Sequence, residues 1–223
     1  MYTNGNFEAH MAALCFLGTL GLAVLLIIAT FVLFFVRRAW AKYSLLAIFV
    51  WLGGYAAVLA FFSFASFDRT VKRGDEKFYC GMDCHIAYSV QNVERTKTIG
   101  EATASGEFYV ITVRSHFDER TIAPWRGDSP LRPDPPTLTL IDDAGHSYSV
   151  SSAGQMTWEK THREQHSLSD GLRPGESYET TWVFDVPATA QSLRMFAGWN
   201  GFPSYVLIGD EASPHHAKTY FAL

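Results

Sequence analysis

MAALCFLGTLGLAVLLIIATFVLFFV (Met11–Val36) and YSLLAIFVWLGGYAAVLAFFSFASF (Tyr43–Phe67) decide the architecture of this chain. Neither run contains Lys, Arg, Asp, Glu or His, and the bases Arg37, Arg38 and Lys42 lie between them. Each run exceeds the ~20 residues a helix needs to cross ~30 Å of hydrocarbon. A backbone in lipid has no water to bond to, so two runs of this kind predict two spanning helices. The expected first unit is a transmembrane helical hairpin over residues 1–67, with helices at about 11–36 and 43–67.

The basic connector sets the orientation. Short loops rich in Lys and Arg stay on the cytoplasmic side, so both ends of the hairpin are expected outside. Trp40 and Tyr43 stand where interfacial aromatic anchors belong. A signal peptide carries its charge before a shorter apolar run; here the charge follows, so the first helix is expected to be retained. With no Asn-x-Ser/Thr acceptor in the chain, the expected location is a bacterial inner membrane, with the N-terminus and the C-terminal domain in the periplasm. The second helix carries Gly53 and Ala57 four apart on one face, a spacing that lets another helix approach closely.

Beyond the hairpin, DRTVKRGDEK (68–77) reads as a charged linker and residues 78–223 as one domain, long enough for a single core. Setting aside Arg37, Arg38, Lys42 and Glu8 leaves 15 bases against 21 acids, a net of −6. Such a surface excludes nucleic acid as a partner and matches anionic lipid poorly. Strands are expected at Ala87–Val93, Glu107–Phe117, Thr137–Ile141, His146–Val150, Tyr178–Val186, Ser192–Phe196 and Tyr205–Ile208. Arg120–Pro136 is a Pro-rich loop, and Ser152–Ser169 is a short helix or a long loop. Short strands punctuated by turns predict an all-β sandwich on the hairpin.

LRPGESYETTWVFDVP (Leu172–Pro187), the ending YVLIGDEASPHHAKTYFAL (Tyr205–Leu223) and the opening FYCGMDCHIAYSV (Phe78–Val90) resemble a family of membrane-anchored bacterial immunoglobulin-like extracytoplasmic domains. In that family a Pro-Gly-Glu turn precedes a long strand ending in an Asp-x-Pro corner. The resemblance implies an immunoglobulin-like sandwich and no catalytic activity, and it carries no established function.

Cys80 and Cys84, with His85 following at once, form the sharpest local pattern. In an oxidising compartment, cysteines this close pair as a disulfide. A regular helix would hold them too far apart, so Gly81 is expected in a turn. Covalent haem c is an alternative, with one residue more than Cys-x-x-Cys-His and Met82, Met156 or Met195 as a distal ligand. Copper held by Cys80, Cys84, His85 and Met82 is another. The layout resembles cytochrome oxidase subunit two, whose copper loop nevertheless falls late in its domain. His162 and His166 would share a helical face, but Arg163 stands where a zincin needs Glu.

No Gly-x-Ser-x-Gly, phosphate-binding glycine loop or paired catalytic carboxylate is present, and Asp210-Glu211 reads as a solvated strand end. No enzymatic activity and no small-molecule substrate is expected, and no resident cofactor unless the haem or copper reading holds. What remains is contact surface: Trp125, Trp199, Phe202 and Tyr205 are the residue types that binding sites use. The expected function is a non-catalytic accessory subunit of a membrane complex, bioenergetic by analogy of layout (a respiratory oxidase or a photosynthetic reaction centre with its antenna). Its partners would be other integral membrane subunits and lipid. The alternative is a periplasmic electron-transfer or metal-binding protein built on Cys80, Cys84 and His85.

Overall fold

A computed structural model, which describes residues 2–80, 84–162, 166–199 and 201–223, turns the apolar runs into α1 (Ala9–Val36) and α2 (Arg38–Phe64). Both are long and apolar enough to cross a membrane. Their seam follows from side-chain spacing. Ala12, Phe16, Thr19, Ala23, Leu26, Thr30 and Leu33 form a covered line along α1, alternately four and three apart, with Ala13, Cys15, Leu22 and Ala29 half-buried beside it. Ala41, Ser44, Ile48, Tyr55 and Phe62 answer from α2. This is the 3.5-residue repeat of two helices packed at a shallow angle. The Thr30 hydroxyl donates to Leu26 O (2.7 Å) and meets Ser44 Oγ at 2.8 Å, a polar clasp inside an apolar seam. The connector is shorter than expected. Arg38–Lys42 join α2 because Arg, Ala and Lys are good helix formers, which leaves Arg37 alone between the helices.

The remainder forms two five-stranded sheets around one core. Its elements are β1 (Tyr2–Thr3), β2 (Arg69–Val71), β3 (Lys77–Tyr79), β4 (Ile86–Ile99), β5 (Ala102–Phe117), β6 (Thr137–Ile141), β7 (Ser147–Ser149), α3 (Ser152–Thr161), β8 (Ser177–Val186), β9 (Arg194–Gly198) and β10 (Thr219–Ala222). One sheet runs β1-β3-β4-β5-β8 and the other β2-β10-β9-β6-β7. Both are mixed, since β1–β3 and β2–β10 are parallel and the other pairs antiparallel. Tyr88, Ile111, Val113 and Phe184 from the first sheet meet Val71, Leu140, Met195 and Phe221 from the second in the shared core.

Four sequence expectations change. The supposed linker 68–77 holds β2, whose Arg69, Thr70 and Val71 pair with Thr219, Tyr220 and Phe221. Tyr205–Ile208 is not a strand: Ser204–Val206 is a single 3-10 turn, and the last strand of the chain is β10, held between β2 and β9. β4 and β5 extend well past the predicted spans because a tight turn at Gly100-Glu101 joins them into one long hairpin. Gly100 takes φ +53°, which a side chain would strain. Finally, Tyr2–Thr3, assigned by the sequence to the hairpin unit 1–67, form β1, an edge strand of the first sheet.

Candidate functional site

The densest polar construction lies where the N-terminal segment, the cysteine loop and the turn at Leu207–Glu211 meet. Asn4 is its centre, 5% exposed. Its Nδ2 donates to Cys80 O (3.1 Å) and to Asp210 Oδ2 (3.2 Å), and its Oδ1 accepts from the Cys80 N–H (2.9 Å). Its own carbonyl accepts from the Glu211 N–H (2.9 Å). Two residues on, the Asn6 N–H donates to Gly209 O (2.9 Å) and Asn6 Nδ2 to Phe62 O (3.0 Å), tying this turn to the end of α2. Gly209 sits at φ +74° with Phe7 against it, so only glycine fits there without strain.

Beneath this lies a buried ion pair. Lys77, fully buried in β3, places Nζ 2.7 and 3.0 Å from the two carboxylate oxygens of Glu211. It also donates to Thr219 O (3.0 Å) and Ala197 O (3.3 Å). Glu211 Oε2 accepts in turn from the Thr219 N–H. Burial lowers the Lys77 pKa and raises that of Glu211, each opposed by the charge of the other. Both groups being saturated with hydrogen bonds is what makes a buried pair tolerable. Asp210, beside it, is pushed up to about 7, chiefly by burial and against the pull of the Ala212 N–H. The reading of Asp210-Glu211 as a solvated strand end is therefore corrected: Glu211 is 4% exposed.

A polar cleft of about 350 Å³ opens here, lined by Asn4, Asn6, Arg69, Cys84 and Asp210 among others. Cys80 and Cys84 are joined in a disulfide, with Cα atoms 4.3 Å apart, and Phe78, Cys80 and Ala87 pack with Ala9 at the start of α1. In this form neither sulfur is a thiolate that could hold haem or copper. His85 stacks on Phe117 (5.6 Å) with Nδ1 2.8 Å from Thr121 Oγ1. Met82 lies outside the described residues. Met195 is fully buried in the core shared by the two sheets, and Met156 is exposed on α3. Among the described residues no group of three or more His, Cys, Asp or Glu is placed to hold a metal. α3 ends at Thr161, so His162 and His166 do not share a helical face: His162 stacks on Trp158 and His166 on Tyr178.

The expected contact residues divide. Trp199 is engaged internally, its indole N–H donating to Asp134 O (2.9 Å) and its ring tilted against Tyr79. Trp125 is 88% exposed and Phe202 76% exposed. Gly53 and Ala57 lie on the face of α2 turned away from α1 and are exposed. The helices are also braced against the β-domain below their ends. Tyr55 donates to Val206 O (2.6 Å), Phe16 meets Phe202 edge-on (5.7 Å), and His215 stacks on Phe64 (5.6 Å). Sequence reasoning missed Asn4, Lys77 and Tyr55, because partners 76 to 151 residues away leave no local pattern.

No family model and no curated protein matches the chain. Among solved structures it is similar to MPT63, a secreted protein from Mycobacterium tuberculosis, at 13% identity over 71% of this chain and 100% of that one, TM-score 0.42. The yjhA protein from Bacillus subtilis gives 16% identity over 68% of this chain and 98% of that one, TM-score 0.41. A conserved hypothetical protein from Bacillus anthracis gives 14% identity over 51% and 80%, TM-score 0.38. At these scores the likenesses carry no argument about this chain.

Proposed function

We propose that the chain is a non-catalytic accessory subunit of a multi-subunit membrane complex. The hairpin would lie in a bacterial cytoplasmic membrane, with the N-terminus and an immunoglobulin-like β-domain in the periplasm. The observation that carries this reading is the coupling of helices to domain. Asn6–Phe62, Tyr55–Val206 and the Ala217 N–H to Ser66 Oγ (2.7 Å) join the domain and N-terminal segment to α2 and the residues just beyond it. A simple tether needs none of these bonds, whereas a subunit that must present helix and domain surfaces in one geometry does. Within the chain, α2 leaves the face bearing Gly53 and Ala57 open for a neighbouring helix, and Trp125 offers an aromatic contact on the domain. The basic residues Arg37, Arg38 and Lys42 support the orientation, and a bioenergetic assembly rests on the analogy of layout alone.

Native mass spectrometry of the protein extracted from its own membranes in mild detergent tests the proposal. Co-purifying subunits at fixed stoichiometry are expected. A lone chain carrying the added mass of haem or copper would overturn the reading in favour of electron transfer through Cys80, Cys84 and His85.

A further inference from the structure

The longest uncharged stretch outside the helices is Met195–Gly209, between Arg194 and Asp210. Its second half, Gly201–Ile208, leaves the β-domain and lies along the flank of the hairpin rather than at its tip. Three contacts fix its level: the Phe16–Phe202 ring pair, the Tyr55 hydroxyl on Val206 O, and Ile208 beside Gly54 and Val58. Thr30 opposite Ser44 sets the antiparallel register of the helices and puts Tyr55 level with Thr19. Counting ~20 residues of hydrocarbon outward from Val36, beside the basic connector, reaches Phe16. The loop therefore meets the helices at the outer edge of the hydrocarbon, not above the headgroups.

Phe202 nevertheless remains 76% exposed despite its contact with Phe16. Beside it a groove of about 510 Å³ runs between Ala13, Phe16 and Leu17 on α1 and Pro135 and Trp199 on the domain, with Leu207 of the loop in its wall. In water a bare phenyl ring over an open apolar groove costs free energy; at the edge of a bilayer both are solvated by acyl chains. From the depth, the absence of charge and the open ring, we infer that the exposed part of this loop, Gly201–Tyr205, is an interfacial lipid-contacting element. Phe202 is immersed in the outer leaflet, and an acyl chain fills the groove beside it. The element gives the domain a hold on the bilayer separate from the two spans, and it removes Phe202 from the protein-contact surface. This inference rests on the reading of α1 and α2 as membrane spans.

The test uses the full chain in phosphatidylcholine vesicles, in a Cys15→Ala background with the Cys80–Cys84 disulfide intact. An environment-sensitive fluorophore is attached in turn at Phe202→Cys, Tyr205→Cys, Val32→Cys within α1 and Ala144→Cys at the β6–β7 turn. Expected are loss of emission at positions 202 and 205 with lipids brominated near the carboxyl end of the chain, and no loss there with aqueous iodide. Position 144 should respond to iodide alone, and position 32 to deeply brominated lipid. Iodide quenching at 202 and 205 with position 32 still lipid-quenched overturns the inference and leaves the spans standing. Shielding of 202 and 205 from both quenchers means protein covers the loop, and also overturns it. Failure of lipid to quench position 32 removes the spanning reading itself, and the inference with it.

Discussion

Lys77 shows what a single side chain can carry here. Its ammonium has four acceptor atoms around it and the rings of Tyr79, Phe196 and Phe221 within 4.7 to 5.9 Å. Lys77→Met would strand the Glu211 carboxylate in the core, at a cost of about 3–5 kcal/mol. Adding Glu211→Gln should recover part of that loss in chemical unfolding, because the penalty is the unpaired charge rather than the missing bridge. Asp210 adds a pH signature. Its folded-state pKa, about 7, lies above its value in the unfolded chain, so the stability it contributes is complete below about pH 4 and lost as pH rises through 7. Stability should fall by about 2–3 kcal/mol between pH 5 and pH 8, and Asp210→Asn should flatten that slope. Glu211, raised by burial in the same direction, keeps a remainder of it. A variant with the full parental slope would show that Asp210 is not the titrating group.

At the scale of elements, residues 2–6 behave as part of the β-domain although they precede α1. Asn4 satisfies both backbone groups of Cys80, so Asn4→Ala should destabilise the domain by about 2–3 kcal/mol through the stranded N–H and C=O. Breaking the disulfide with Cys80→Ser and Cys84→Ser should cost only about 2 kcal/mol, because the closed loop spans so few residues. On α2, nothing lies within 4 Å of where a Gly53 side chain would begin. Gly53→Leu should therefore leave the melting temperature of the isolated chain unchanged while stripping partner subunits from the extracted complex. Unchanged co-purification would remove this face from the proposed docking surface.

On the scale of the whole molecule, the pairing of β1 with β3 puts both outer ends of the hairpin on the side of the β-domain. In spheroplasts, a cysteine at Ala144 should react with a membrane-impermeant maleimide, and one at Ala39, near the helix connection, only after lysis. The reverse pattern would invert the orientation. Much of this architecture was legible in local order. An unbroken apolar run means helix in lipid, and the alternation in EFYVITVRSHF (Glu107–Phe117) means a strand with one face inward, so both were readable from neighbouring residues. TYFA at Thr219–Ala222 was missed because so short a segment becomes a strand only when β2 and β9 flank it. YVLI at Tyr205–Ile208 read as a strand because it is apolar, but Leu207 and Ile208 line clefts against the helices instead. Composition and periodicity by themselves determined two apolar helices, a basic connector and a β-rich remainder, since each depends on residues close in the chain. Only the tertiary structure decided that the N-terminus becomes an edge strand, that Lys77 and Glu211 share a buried bond across 134 residues, and that an apolar loop rests on the flank of the hairpin. Those contacts are set by how separate elements pack, and side-chain order along the chain holds no record of which surfaces will meet.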